Sequence, residues 1–177
     1  KLAVVPDNIC PDSAFQDESA WVMQEGWSFL VNDGSNLAHQ MGVPKCAMIS
    51  STSLAYSYHE YNVPSFAGVG QTLRLRYKAY NNSNQTMYAG VSFKNVAGAD
   101  IGLIFDTLAP GSGHKLVSKQ GVVPAGTVKL SFWARTNGVG LSGTMAIGEW
   151  KLDVASSADL IVDGAITANK IGAGQVT

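Results

Sequence analysis

Charge is scarce in this chain: only 14% of its 177 residues are charged, with 12 Lys and Arg against 13 Asp and Glu for a net charge of −1. A protein that grips a phosphate backbone does so with a cationic surface that releases counterions, so nucleic acid is not expected as a partner. Long apolar runs are missing as well. No stretch approaches the roughly eighteen apolar residues of a membrane-spanning helix, and Lys1-Leu2-Ala3-Val4-Val5-Pro6 has neither the apolar core nor the cleavage site of a signal peptide. No membrane insertion is expected. Opening on Lys1, the chain reads as a fragment of a longer protein.

Cysteine is limited to Cys10 and Cys46. One pair does not make the disulfide framework of a small secreted module, and both are expected as free, buried thiols. The three histidines, His39, His59 and His114, have no metal-ligand spacing and are expected to serve solvent or loop hydrogen bonds. There is no glycine-rich phosphate loop between a strand and a helix. Neither a carboxylate pair nor a nucleophile with base and orienting partner forms a motif, so no enzymatic activity is expected. Asn81 and Asn84 match the glycan-acceptor pattern, which is too common in polar turns to carry weight.

What the chain does contain is two-residue alternation. In Thr72 to Tyr80, Leu73, Leu75, Tyr77 and Ala79 fall on one face, with Arg74, Arg76, Lys78 and Tyr80 on the other, the pattern of a half-buried strand. Met87, Ala89, Val91 and Phe93 repeat it beyond the turn at Asn81 to Asn84, which predicts a hairpin. Ile101 to Phe105 is a further strand and His114 to Gln120 a polar one. Val128, Leu130, Phe132 and Ala134 alternate with Lys129, Ser131, Trp133 and Arg135, and a last strand runs from Thr144 to Val154. Residues 8 to 31 read as strand, loop and strand, with a brief helical turn around Ser19 to Gln24. Cys46 to Ile49 and Leu54 to Tyr61 read as strand or strand edge. Eight or nine short strands, with no run long enough for a core helix, predict an all-β, antiparallel two-sheet sandwich.

The order of these pieces resembles the carbohydrate-binding modules of the galactose-binding-like superfamily over residues 8 to 154. Asn8-Ile9-Cys10-Pro11-Asp12-Ser13-Ala14-Phe15 stands where such modules open, and Trp21 where a tryptophan follows. Val69-Gly70-Gln71-Thr72-Leu73 matches their turn into the first long strand, and Val123-Pro124-Ala125-Gly126-Thr127-Val128 a late Pro-Ala-Gly turn. The resemblance implies a jelly roll. It also raises a structural calcium ion, which the family holds with a Glu after the opening Phe and an acidic pair in the last strand. Here Gln16 follows Phe15, and only Glu149 and Asp153 are acidic near the end. Calcium takes six to eight oxygens, several of them charged, so no cofactor is expected and calcium at Glu149 and Asp153 is the lesser alternative.

For a glycan, the candidate residues are aromatics on faces that alternation turns outward. Trp133 shares its face with Lys129, Ser131 and Arg135, and Tyr80 shares one with Arg74 and Arg76. Sugar C–H faces lie on aromatic rings while hydroxyls take polar and charged hydrogen bonds. Tyr56, Tyr58 and Tyr61 form a second aromatic cluster, read as lying at a loop. For each of these side chains the competing role is packing in a core or a subunit interface.

The end of the chain, Ala155 to Thr177, repeats a unit of Gly, spacer, branched apolar residue and Thr: Gly164-Ala165-Ile166-Thr167 is echoed by Gly174-Gln175-Val176-Thr177. Leu160, Ile161, Ile166, Ile171 and Val176 are too few to bury one another in a single chain, and identical copies about a symmetry axis would supply the missing surface. The run LIVDGAITANKIGAGQVT resembles the segment after the globular domains of central tail-fibre or tail-tip host-attachment proteins of long-tailed bacteriophages, where a trimeric stalk begins. The resemblance implies residues 1 to 7 as a linker from a preceding domain, 8 to 154 as the jelly roll, and 155 to 177 as the start of a stalk. It further implies a virion protein that forms a homotrimer, contacts other tail-tip domains, and binds a host cell-surface polysaccharide or lipopolysaccharide. The alternatives are a structural spacer without a ligand and an ancillary module of a glycan-degrading enzyme.

Overall fold

The structure, a computed structural model, describes residues 8 to 155. Leu160, Ile161, Ile166, Ile171 and Val176, and with them the stalk, lie outside the described residues. So does the linker at residues 1 to 7.

Ten strands are described: β1 (Trp21–Met23), β2 (Trp27–Val31), β3 (Lys45–Ile49), β4 (Tyr58–Val63), β5 (Thr72–Asn81), β6 (Met87–Lys94), β7 (Asp100–Leu108), β8 (Gly113–Val122), β9 (Lys129–Arg135) and β10 (Met145–Val154). They form two antiparallel five-stranded sheets, ordered β1-β4-β9-β6-β7 and β2-β3-β10-β5-β8. The sandwich expected from alternation is present. Leu73, Leu75, Tyr77 and Ala79 of β5 point inward and are buried, as are Met87, Ala89, Val91 and Phe93 of β6 and Leu130, Phe132 and Ala134 of β9. Fully burying a large apolar side chain contributes about 1.5–3 kcal/mol. This interior is therefore what holds the sheets together, with Trp150 of β10, at 0% exposure, the largest fully buried side chain in it.

Three expectations are corrected. The first is the β5–β6 hairpin: β5 pairs with β10 and β8, and β6 pairs with β9 and β7, so the two strands lie in different sheets. Each strand has one apolar face, and crossing from sheet to sheet buries that face as well as folding back would. The second is the helical turn at Ser19 to Gln24, which is a short 3-10 turn, Glu18–Ala20, followed by β1. Its position is fixed by Asp12, whose carboxylate accepts from the backbone N–H of Gln16 (2.6 Å) and from Trp21 Nε1 (2.8 Å). The third is His59. It is fully buried on the inner face of β4, facing Trp27 (ring centroids 4.6 Å), Trp21 (5.4 Å), Phe15 (6.1 Å) and Trp150 (6.3 Å).

A second, smaller apolar cluster lies around the one-turn helix α1 (Leu37–Gln40), where Ala38, Met41, Val43, Cys46 and Ala146 are buried together. Cys10 belongs to the main core instead. Both thiols are free, and burial pushes Cys10 up to about 12 and Cys46 up to about 11.

Candidate glycan-binding face

The outer face of the β1-β4-β9-β6-β7 sheet carries the candidate site. Antiparallel register places Tyr58, Arg135, Tyr88 and Thr107 in one row across β4, β9, β6 and β7. The next row is Glu60, Trp133, Gly90 and Phe105, and the one after it Asn62, Ser131, Ser92 and Leu103. Strands two apart in a sheet are separated by roughly 9.5 Å, yet the Trp133 and Phe105 rings lie 6.4 Å apart, so they lean toward each other across Gly90. Gly90 is required there. A Cβ at that position would sit 2.4 Å from the Ile104 carbonyl oxygen and 2.5 Å from Phe105 Cβ.

Polar groups fix the rings. Trp133 Nε1 donates to Ser92 Oγ at 2.8 Å, and Ser131 Oγ donates to the Glu60 carboxylate. The Arg135 guanidinium stands over both the Tyr88 ring (5.4 Å) and the Trp133 ring (5.3 Å), a cation–π arrangement that holds its donor fork in place. Asn137 Nδ2 donates to the Tyr88 hydroxyl at 3.3 Å, and Lys94 pairs with Asp100 at 3.0 Å. Tyr58, Glu60, Tyr88, Phe105, Trp133 and Arg135 line a cleft of about 360 Å³, with Ser92, Lys94, Asp100 and Leu103 at its other end. Its half-buried indole, exposed Phe105 and flanking polar groups have the make-up of a saccharide platform, with ring faces for C–H groups and hydroxyls and charges for sugar hydroxyls.

Of the residues singled out in the sequence, the structure brings Trp133, Arg135 and Tyr58 together here. Tyr61, on the same strand as Tyr58, faces the other way and packs on Trp21 (5.0 Å) at the core, while Tyr56 is an exposed loop residue. Arg74, Arg76 and Tyr80 lie on the opposite sheet. Arg74 and Arg76 both pair with Asp153, at 3.3 and 2.6 Å, and Tyr80 packs beside the α1 cluster with its ring 4.7 Å from His114. The cleft on that side, about 300 Å³ and lined by Arg76, Lys78 and Lys151, includes Tyr77 and Trp150, but both are buried and present no ring face. Glu60, Tyr88, Ser92, Leu103 and Phe105 were not anticipated. The outward positions of Tyr88 and Ser92 follow from the alternation of β6, and Phe105 was signalled by apolar residues on both faces of β7.

The donor set for calcium does not fit. Asp153 is held by the two arginines, and Glu149 by Lys78 at 2.9 Å. Beside Phe15, Lys45 Nζ donates to the Phe15 carbonyl (2.9 Å) and to Glu18 (2.8 Å). Among the described residues, no group of three or more His, Cys, Asp or Glu is placed to hold a metal ion.

No protein-family model matches the sequence, and no curated protein is similar to it in sequence. Solved structures are similar in fold. A family 61 carbohydrate-binding module in complex with β-1,4-galactotriose superposes with a TM-score of 0.55 at 13% identity, covering 85% of this chain and 100% of that one. This chain has the jelly-roll fold of carbohydrate-binding modules. A C-terminal family 22 module from Clostridium thermocellum gives a TM-score of 0.52 at 12% identity, covering 81% of this chain and 91% of that one. The enzymatically active domain of tailspike protein 4 of bacteriophage CBA120 gives a TM-score of 0.64 at 16% identity, covering 84% of this chain and 22% of that one.

Proposed function

We propose that this jelly roll is a non-catalytic glycan-binding module of a bacteriophage tail fibre or tail tip, and that it recognises a host cell-surface polysaccharide or lipopolysaccharide. The observation that carries this reading is the Trp133–Phe105 platform on an open sheet face, bordered by Arg135 and Glu60. The phage setting is supported by the order of residues 160 to 177 and by the tailspike among the similar folds. Trp133→Ala is expected to weaken binding to host polysaccharide by about 1–3 kcal/mol, by analogy with bases stacked on aromatic side chains, without unfolding the domain. Affinity measured on isolated host polysaccharide, with circular dichroism on the same samples, tests this; unchanged affinity in a folded variant would remove the platform from the site.

A second reading has its own support. Ile101, Leu103 and Phe105 leave apolar area exposed on the outer face of the edge strand β7, which suits a spacer whose sheet packs against other copies. In that case Trp133→Ala or Phe105→Ala would shift the oligomeric state and leave polysaccharide binding absent in both forms.

The trimer is proposed on sequence alone. Ile166, Ile171 and Val176 would each gain roughly 1.5–3 kcal/mol from full burial, against an ordering cost on the order of 1–2 kcal/mol per backbone residue. The segment therefore needs help from the jelly rolls or from stalk beyond Thr177. Sedimentation of the full chain should show a trimer that is lost on truncation after residue 155. Monomers in both forms at micromolar concentration would overturn it.

A further inference from the structure

We infer that the glycan taken by this face is acidic, and that Arg135 reads its anionic group. The inference rests on the glycan-binding reading and narrows its ligand class. Its basis is an inequality among the charges of the cleft. Lys94 is neutralised by Asp100 at 3.0 Å, and Glu60 accepts the hydroxyl of Ser131. Arg135 is different: it is exposed, and among the described residues its side chain makes no ion pair and donates no hydrogen bond. Its only partners are the Tyr88 and Trp133 rings, which orient the guanidinium without using any of its N–H groups.

An arginine held between rings with all its donors unspent is pre-organised for a planar or tetrahedral oxyanion, which it can bind through two parallel hydrogen bonds. A neutral sugar uses such a fork poorly, because one hydroxyl at a time accepts only single, uncharged bonds. The rest of the cleft sets a direction along the ligand. A ring resting on Trp133 and Phe105 would place its anionic substituent at the Tyr58–Tyr88 end, beside Arg135. Donor hydroxyls would then fall toward Glu60, one row away. The shared ligand chemistry is an oxyanion on a saccharide, from a uronic acid or from a phosphorylated sugar.

The test uses the full chain on an array of acidic polysaccharides, each beside its neutral counterpart: polygalacturonate and its carboxyl-reduced form, phosphomannan and its dephosphorylated form. The expected result is retention on acidic polymers roughly ten-fold or more above their neutral partners, the scale of a charge-assisted hydrogen-bond pair, falling as salt is raised. Arg135→Gln should abolish that preference, and Arg135→Lys should keep part of it as a point charge without the fork. Preference for the carboxylated polymer identifies a uronic acid, and for the phosphorylated one a sugar phosphate. Equal retention on acidic and neutral polymers overturns the acidic assignment and leaves the glycan-binding reading standing, whereas acid preference unchanged in Arg135→Gln overturns the role of Arg135. Retention neither on these polymers nor on host polysaccharide removes both readings.

Discussion

Asn81→Asp is expected to destabilise the domain by several kcal/mol, although it changes a single atom. Asn81 ends β5 at the corner where the chain leaves one sheet for the other, and it is fully buried. Its Nδ2 shares two N–H groups among three carbonyl oxygens, of Gln85 (2.9 Å), Leu108 (2.9 Å) and Ala109 (3.1 Å), while Oδ1 accepts from the Ser83 backbone N–H (3.0 Å) and from Ser83 Oγ (2.7 Å). The side chain thus ties two corners together, the one between β5 and β6 and the one between β7 and β8. An aspartate has no donor to offer, so three carbonyls would face a buried carboxylate. Each buried polar group left without a partner costs about 1–3 kcal/mol, and the repulsion adds to it.

The variant should also acquire a pH dependence of defined sign. Desolvation and the facing carbonyls both favour the protonated carboxyl, which raises its folded-state pKa above the unfolded value. Part of the lost stability should therefore return in acid, where the protonated group regains one donor, and vanish as pH rises through the folded pKa. Urea unfolding at neutral and at acid pH measures both effects. A loss below about 1 kcal/mol at neutral pH would show that the corner does not depend on Asn81.

The same corner marks where sequence reading stopped. Alternation identified the inward faces of β5, β6 and β9, because each face must reach the core whatever sheet its strand joins. It carried no information on partners. The pairs that build the candidate site, Tyr88 with Arg135 and Gly90 with Trp133, are 47 and 43 residues apart in sequence. A hairpin at Asn81 to Asn84 satisfies every local rule, and the crossing is visible only in the strand pairings, β5 with β10 and β8 and β6 with β9 and β7. That is why Arg74, Arg76 and Tyr80 could be grouped with Trp133 as outward side chains and then prove to lie on the other sheet. It is also why Phe105 went unassigned: an edge strand with apolar residues on both faces looks, in sequence, like a buried one. Gly90 carries part of the site by having no side chain, and no motif announces that.

His59 shows the opposite failure, a polar residue where sequence logic expects solvent, and it yields the second large effect. Replacing it by leucine should remove the part of the fold's acid sensitivity that comes from this buried imidazole. Neither ring nitrogen has a hydrogen-bond partner among the described residues, and the surrounding rings of Phe15, Trp21, Trp27 and Trp150 supply no acceptor for an imidazolium proton. Burial pushes His59 down to about 3, from an ordinary value of 6.5. Above pH 6.5 the side chain is neutral in both folded and unfolded chains and leaves stability independent of pH. Between 6.5 and about 3 the unfolded chain binds a proton that the folded domain refuses, so stability falls with acidification by up to about 1.4 kcal/mol per pH unit. Below that window the slope from this group ends.

Other groups also titrate in acid, so the informative quantity is the difference between wild type and His59→Leu in urea unfolding at each pH. That difference should be small near neutrality, where leucine exchanges two unpartnered nitrogens for apolar volume of similar size. It should then grow steadily in favour of the variant from pH 6.5 downward. Two stability curves that stay parallel to pH 4 would mean that His59 finds a proton partner inside the fold, and the aromatic enclosure would then have to be wetter than its packing indicates.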